Sequence, residues 1–529
     1  MRIFNTTGPV RPEQHYCLPP LERFDLEDVL FLIEQEKYFV LHAPRQVGKT
    51  SYLLALMAYL NAAGRYHCLY FNVEAAQAMR ENVAAAMQVI ISEMASRARM
   101  YLNDPYPEQI MDAVLQEAGG NALNAMISRW AEKTEKSLIL LIDEIDALVG
   151  DTLISVLRQL RAGYDKRPGQ FPQSIILCGV RDVRDYRIHS SQDKAVITGG
   201  SAFNIKVESL RLDNFKQHEV ETLYQQHTAA TGQAFTAEAM SLIWDLTEGQ
   251  PWLSNALGYE VCFRTNAARQ HKETITAERI NQAKENLIQR RETHLDQLTD
   301  KLKEARVRRV IEPILSGSEL DGQVQEDDIQ YGIDLGLIHR GPQGLQIANA
   351  IYREVIPRDL NYITQLNFES QIEPNWYIAP DGRLEMDKLL TAFQDFFRQN
   401  SEHWVERFTY KEAGPQLLLQ AFLQRIINSG GRIEREYGLG RGRTDLLLVW
   451  PYGDQEMGQR VVIEAKLRHG ALETVIAEGL SQTWAYMDRS GAADGHLIIF
   501  DRSERRSWAE KIFKRSETHQ HTAITVWGM

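Results

Sequence analysis

The 529-residue sequence is poor in cysteine, has no long apolar run and carries no excess of positive charge. Its four cysteines, Cys17, Cys68, Cys178 and Cys262, stand far apart with no CxxC pair. That argues against a zinc site or a disulfide framework and reads as reduced thiols in a cytosolic protein. No apolar stretch reaches the roughly 18 residues that span a bilayer, and the first residues lack the basic-then-apolar order of a signal peptide. A cytoplasmic protein with no membrane partner is expected. The net charge of −12 argues against a surface that is basic throughout. Local basic patches or a bound metal ion can still offset it. No internal repeat or low-complexity tract stands out. The length suits three or four domains at roughly 100–200 residues each.

What is present is an alternation of strands and helices. Residues 1–30, punctuated by Pro9, Pro12, Pro19 and Pro20, read as an extended arm. From Tyr38 the pattern is α/β: YFVLHA as a strand, APRQVGKT as a loop, then TSYLLALMAYLNAAG as a helix ended by Gly64. CLYFNVE, SLILLID and SIILCGV are further apolar strands, so a parallel sheet covered on both faces is expected over residues 31–211. Amphipathic helices follow over 212–290 as a helical lid, broken at Gly249-Gln250-Pro251. Residues 291–360 read as helices and a hairpin turning at Gly341-Pro342-Gln343-Gly344, a winged-helix-like unit. A linker is expected over 361–385. A second α/β domain over 386–529 has strands at RIEREYGL, DLLLVW, RVVIEAKL and GHLIIFD.

The loop of Ala43, Pro44, Arg45, Gln46, Val47, Gly48, Lys49, Thr50 and Ser51 lies between a strand and a helix. There, backbone N–H groups cradle phosphate, the lysine reaches terminal phosphates, and the Thr50 hydroxyl binds Mg²⁺. Asp143 and Glu144 end the strand LILLI, where the first carboxylate holds Mg²⁺ through water and the second accepts a proton from the attacking water. Ala43 stands where glycine is usual, and a changed start to the loop is expected. These residues, with RDVRDYR after SIILCGV and EGQPW at Glu248–Trp252, resemble the AAA+/STAND branch of P-loop ATPases. The resemblance covers about residues 20–290 and extends into the winged-helix block. It implies ATP and Mg²⁺ as cofactors and assembly into a homo-oligomer. It also offers Arg181 and Arg184 as sensor or arginine-finger residues. A solvated basic turn paired with Asp182 and Asp185 is the alternative.

Near the other end, Asp445 opens the strand DLLLVW, and Glu464 and Lys466 lie two apart on VVIEAKL, hence on one face. If the two strands form a hairpin, the three side chains converge. Asp445 and Glu464 would hold a hard metal ion, and Lys466 would orient or deprotonate the water, or stabilise charge on phosphorus. A surface ion pair is the plainer alternative. This arrangement is similar to the PD-(D/E)xK nuclease superfamily over roughly residues 390–515. GRGRTD brings Gly442 and Arg443 before Asp445, Thr444 replaces the proline of the family name, and Gln482 with Tyr486 forms the QxxxY of RecB-like members. The resemblance implies Gln482 as a site residue, Glu412 as a further acidic metal ligand, and Mg²⁺ or Mn²⁺ as the metal. Arg432, Arg435, Arg441, Arg443 and Arg468 flank the motif as phosphate contacts or as a solvated face.

Together these features predict an ATP-driven switch fused to a metal-dependent endo- or exonuclease acting on DNA, in defence against foreign DNA or mobile elements. Two alternatives stay open: a signalling scaffold whose nuclease-like domain only binds, and a recombination helper binding through its winged helix. For the basic run RVRRV at Arg306–Val310, a relay role is favoured over phosphate contact, because Glu326, Asp327 and Asp328 lie close in sequence.

Overall fold

The computed structural model describes residues 1–182, 187–189, 196–198, 203–290, 292–316, 324–341, 344–360, 377–405, 415, 418–420, 422–423, 432–436, 445–451, 458–501, 503 and 506–529. They form two compact units. One comprises Met1–His294 with Asp334–Gly336; the other comprises Leu295–Ile333 with Leu337–Met529.

The first unit is built on a five-stranded sheet. Its strands are β3 (Tyr38–His42), β4 (Tyr66–Asn72), β5 (Ser137–Asp143), β6 (Ser174–Gly179) and β9 (Lys206–Arg211), in the order β4-β5-β6-β3-β9. Every neighbouring pair is parallel. The central strands are buried on both faces, which is why they read as continuous apolar runs rather than alternating ones. On one face Phe39, Leu41, Ile139, Leu141 and Ile176 meet α1 (Leu26–Glu34) and α2 (Lys49–Ala62). On the other, Val40, Leu69, Phe71, Leu140 and Leu177 meet α3 (Val83–Leu102), α4 (Tyr106–Ala118), α5 (Ala122–Lys133) and α6 (Gly150–Ala162). β7 (Arg187–His189) and β8 (Val196–Thr198) form a separate antiparallel pair. A helical block follows: α7 (Gln217–Thr231), α8 (Ala237–Thr247), α9 (Pro251–Phe263) and α10 (Ala277–Gln289).

The expected extended arm is corrected. β1 (Ile3–Phe4) and β2 (His15–Tyr16) pair in parallel, and both Phe4 and Tyr16 are buried. Phe4 sits against Tyr16, Tyr224 and Phe263 at ring distances of 5.1, 4.9 and 6.2 Å. Asn5 N donates to Asn255 Oδ1 at 3.1 Å, Trp252 Nε1 donates to Thr6 O at 2.9 Å, and Val10 N donates to Ser51 Oγ at 3.0 Å. Proline spacing suggests an extended arm; a few aromatic anchors make it part of the core.

The second unit begins at Leu295 within α11 (Thr293–Leu302) and takes in α12 (Ala305–Ser316) and α13 (Glu326–Asp334) as far as Ile333. The antiparallel hairpin β10 (Ile338–Gly341) and β11 (Gly344–Ile347) follows, then α14 (Ala350–Leu360). Further along, a six-stranded mixed sheet runs β12-β13-β14-β15-β17-β16. Its strands are β12 (Arg432–Glu436), β13 (Asp445–Trp450), β14 (Gln459–Leu467), β15 (Asp494–Phe500), β16 (Phe513–His519) and β17 (Thr522–Gly528). α15 (Met386–Val405) and α16 (Leu472–Ser490) cover opposite faces of it.

The expected linker is also corrected. Its end is folded, with Tyr377 and Leu384 in the core beneath α15. Trp450 Nε1 donates to Gly382 O at 2.9 Å, and Gln459 Oε1 accepts from Leu384 N at 2.8 Å. The rest of the linker, 361–376, lies outside the described residues. Among the described residues no helix is long and apolar enough to cross a membrane.

Candidate functional site

The loop after β3 reaches α2 by two left-handed residues, Gln46 at φ 58° and Gly48 at φ 108°. The second conformation favours glycine strongly. Ala43 is absent from the positive-φ positions and is buried with Val47 and Leu212. Alanine therefore fits where a change was expected, and its methyl group fills core space. Lys49 is buried, and its Nζ donates to Ala43 O at 2.9 Å and Pro44 O at 3.0 Å. An ammonium has three donors, so a third remains beyond these two.

Asp143 ends β5 and is fully buried. Its Oδ2 accepts from the Thr50 hydroxyl at 2.8 Å and from the Tyr70 hydroxyl at 3.1 Å, and its Oδ1 accepts from Glu144 N at 2.9 Å. Thr50 has one hydroxyl proton and gives it to Asp143, so its lone pairs stay available to a cation. That donor set fits Mg²⁺ held directly by Thr50, with Asp143 acting through water. Glu144 adopts φ 57°, a conformation uncommon for a residue with a Cβ. Burial raises its pKa, the Asp146 charge adds to this, and Lys49 opposes it. A carboxylate raised in this way is suited to accept a proton.

Two residues that sequence reasoning missed support the site. Tyr70 lies on β4 beside β5, and only strand order reveals its place. Arg23 donates to Val47 O at 3.1 Å and also to Asp213 O, and it stacks on Phe215 at 4.6 Å. Burial lowers its pKa to about 10. Arg181 is buried, and its Nε donates to Asp334 Oδ2 at 3.0 Å. Arg184 lies outside the described residues.

In the second unit β13 and β14 are antiparallel, with Asp445 directly opposite Glu464. Glu436 of β12 stands opposite Asp445, so three acidic residues share one register row. Glu464 is fully buried and neither carboxylate oxygen has a hydrogen-bond partner. Lys466 Nζ stands 4.0 Å from Glu464 Oε1. The Lys466 ammonium offsets the charge of this buried carboxylate without hydrogen-bonding either oxygen, so the lone pairs stay open to a metal ion and the site's chemistry fits one. α16 packs on the sheet face that carries Val462 and Leu497, with Tyr486 in that core. Gln482 of α16 has a buried Oε1 without a partner. Among the described side chains no three His, Cys, Asp or Glu residues gather in metal-binding geometry. Of the expected ligands, Glu464 is described in full and Asp445 by its backbone, while Glu412 lies outside the described residues, as do Arg441, Gly442, Arg443 and Thr444.

The basic run of α12 is engaged within its own unit. Arg306 pairs with Asp327 at 2.8 Å and Asp328 at 3.1 Å, and Arg309 pairs with Asp328 at 3.5 Å.

A parallel sheet, a glycine-gated loop entering a helix, and a buried aspartate bonded to that helix's threonine define a P-loop ATPase domain. The chain belongs to the AAA-like domain family, whose model matches residues 30–356. No curated protein matches it. Among solved structures it is similar to a Walker-type ATPase of Pyrococcus abyssi, with 14% identity, 67% of this chain and 99% of that one covered, and a TM-score of 0.46. It is also similar to the RuvB Holliday junction branch migration motor of Thermotoga maritima, at 14% identity, 63% and 96% covered, and a TM-score of 0.32. A third is Cdc6p of Pyrobaculum aerophilum, at 13% identity, 64% and 93% covered, and a TM-score of 0.35.

Proposed function

We propose that the chain is an ATP-hydrolysing switch that controls a metal-dependent nuclease carried in its own C-terminal domain. In this reading residues 31–211 are the ATPase core, 212–290 its helical lid, 291–360 a winged-helix-like relay and 386–529 a PD-(D/E)xK-like nuclease. Backbone N–H groups of residues 44–49 cradle phosphate at the start of α2. Lys49 exchanges its bonds to Ala43 O and Pro44 O for terminal phosphate oxygens. Thr50 and Asp143 hold Mg²⁺, Glu144 takes the proton of the attacking water, and Arg181 senses the terminal phosphate.

The observation that carries the nuclease half is Glu464, a fully buried carboxylate without a hydrogen-bond donor, opposite Asp445 in register. Directly opposed residues of an antiparallel pair lie on one face. Asp445 and Glu464 then hold Mg²⁺ or Mn²⁺, with Glu412 as a further ligand. The bound ion supplies an activated water and neutralises phosphate charge. Lys466 orients the water or stabilises the developing charge, and Gln482 lines the site. DNA is the proposed substrate, with a homo-oligomer in the cytoplasm as the working form and defence against foreign DNA or mobile elements as the setting. The ion pairs of Arg306 and Arg309 favour a relay role for the 291–360 block over DNA contact.

The test is cleavage of linear and circular DNA with Mg²⁺ or Mn²⁺, with and without ATP, by wild type, Lys466→Ala and Lys49→Ala. Cleavage is expected to vanish in Lys466→Ala and to lose its response to ATP in Lys49→Ala. Cleavage undiminished in Lys466→Ala sinks the nuclease assignment. Absence of cleavage by wild type under every condition favours a scaffold that binds without cutting.

A further inference from the structure

A cavity of about 350 Å³ begins one residue past Lys466 in sequence, lined by Leu467, Arg468, His469, Phe500, Asp501 and Arg506, among others. It lies where β14 and β15, which are parallel and paired through Leu467↔Phe500, both end. The two strands send their helices to opposite sides of the sheet. α16 follows β14 and packs on the core containing Val462 and Leu497. After β15 comes the short helix α17 (Trp508–Lys511), and Trp508 packs against the opposite core containing Ile463 and Ile498. Diverging connections open a crevice outside the carboxyl ends of the strands, a recurrent ligand position in open α/β sheets.

The crevice is chemically built. Arg468 Nη1 donates to Asp501 Oδ2 at 2.8 Å, and Arg506 Nη1 donates to the same oxygen at 2.6 Å. Asp501 Oδ1 accepts from Ser503 N at 3.0 Å, and Asp501 N donates to Met529 O. Burial by itself raises the Asp501 carboxyl, but Ser503 N–H, Arg506 and Arg468 outweigh it and hold the pKa below the usual range. One ionised carboxylate thus braces two guanidiniums, each with five N–H donors. Within the lining, two guanidiniums face the single carboxylate of Asp501, and Glu510 lies close enough to feel the Arg506 and Asp501 charges. Arg468 N donates to Phe500 O at 2.9 Å, so the ladder continues one residue past β14. Glu464, Lys466 and Arg468 are then alternate residues on one edge, with Arg468 roughly 6.6 Å beyond Lys466.

We infer that Arg468 and Arg506, braced by Asp501, form a phosphate-binding subsite for a nucleic-acid strand next to the Glu464/Lys466 centre. The inference rests on the nucleic-acid reading of that domain and adds to it a second phosphate contact away from the metal. Planar forked donors suit phosphate oxygens, and fixing them in advance lowers the ordering cost of binding. The phosphate belongs either to a strand terminus or to an internal phosphodiester.

The experiment uses the full chain in EDTA, so that no cleavage intervenes. Fluorescent single-stranded oligonucleotides with a 5′-phosphate or a 5′-hydroxyl are titrated by anisotropy, and inorganic phosphate is titrated by calorimetry. Arg468→Gln and Arg506→Gln are compared with wild type and with Arg65→Gln, a charge control exposed on the other unit. Arg506→Lys keeps the charge without the fork, and melting temperatures establish that each variant is folded. Loss of about tenfold or more in affinity for Arg468→Gln and Arg506→Gln, with Arg65→Gln like wild type, is the expected result. Loss confined to the 5′-phosphate strand assigns a terminal phosphate; equal loss on both strands assigns an internal one. Wild-type affinity in both arginine variants overturns the inference and leaves the pair as a clamp on Asp501. Binding of inorganic phosphate alone, abolished in Arg506→Gln, keeps the subsite and removes the nucleic-acid reading. Wild type binding neither probe overturns both.

Discussion

Asp143 has three donors on its two carboxylate oxygens, and one of them, Tyr70, has no counterpart in any motif read from the sequence. Tyr70 fixes the carboxylate that orients the Thr50 hydroxyl. Tyr70→Phe removes one hydrogen bond and no apolar volume. Nucleotide binding in EDTA is expected to be unchanged. The Mg²⁺ concentration for half-maximal ATP turnover is expected to rise about three- to tenfold, matching the roughly 1 kcal/mol of one hydrogen bond. An unchanged Mg²⁺ dependence assigns Tyr70 to packing alone. Glu464 has the opposite problem, having no donor at all. Glu464→Gln is expected to abolish cleavage while raising the melting temperature, because a fully buried charge that no hydrogen bond satisfies is removed. Mn²⁺ is expected to stabilise wild type and not the variant. A lower melting temperature in metal-free buffer counts against the metal-site reading.

At the scale of elements, the sequence reveals those whose pattern is continuous. YFVLH, SLILLID and SIILCG read as buried strands because both their faces are covered. The two-apart spacing of Glu464 and Lys466 placed them on one face before the register with Asp445 was known. Glu436 was missed because its importance depends on which strand lies beside β13. β16 was missed because FKRSETH, at a sheet edge, has a single apolar residue and no fully buried position, so its alternation shows in exposure and not in hydrophobicity. The pairing of β1 with β2 was missed because two-residue strands carry no period. Phe4→Ala is expected to cost about 3–5 kcal/mol, read as a drop in melting temperature. A surface arm would show almost no change. His294 stacks on Trp252 at 4.7 Å, and burial lowers its pKa from 6.5 to about 3. The fold therefore favours neutral imidazole, and its contribution is present above pH 6.5 and lost as pH falls towards 3. His294→Phe is expected to keep the stack and to flatten the loss of melting temperature on acidification from pH 6.5. An equally steep loss assigns the acid sensitivity elsewhere.

Across the whole molecule, composition argues against a disulfide framework and a uniformly basic surface, and strand–helix order locates the ATPase. It did not reveal that Asp334–Gly336 belongs with the first unit, because that depends on contacts far apart in sequence. Two units give two cooperative transitions a chance to separate on heating. Saturating ATP with Mg²⁺ at about 100 times Kd is expected to stabilise the nucleotide-binding transition by about 2.7 kcal/mol, and Lys49→Ala to remove that shift. An ATP shift that survives in Lys49→Ala places the nucleotide elsewhere.

The N-terminal segment has a further consequence, for synthesis. Asn5 bonds Asn255 across 250 residues, and Thr6 bonds Trp252 across 246. At ribosomal speed, Phe4 and Tyr16 wait roughly 10–50 s before the helix they cover has been made. During that interval the nascent chain displays aromatic side chains with nowhere to go. Phe4 and Tyr16 therefore reach their native place only after residue 263 has been made, and until then they stay open to contacts that the finished fold forbids.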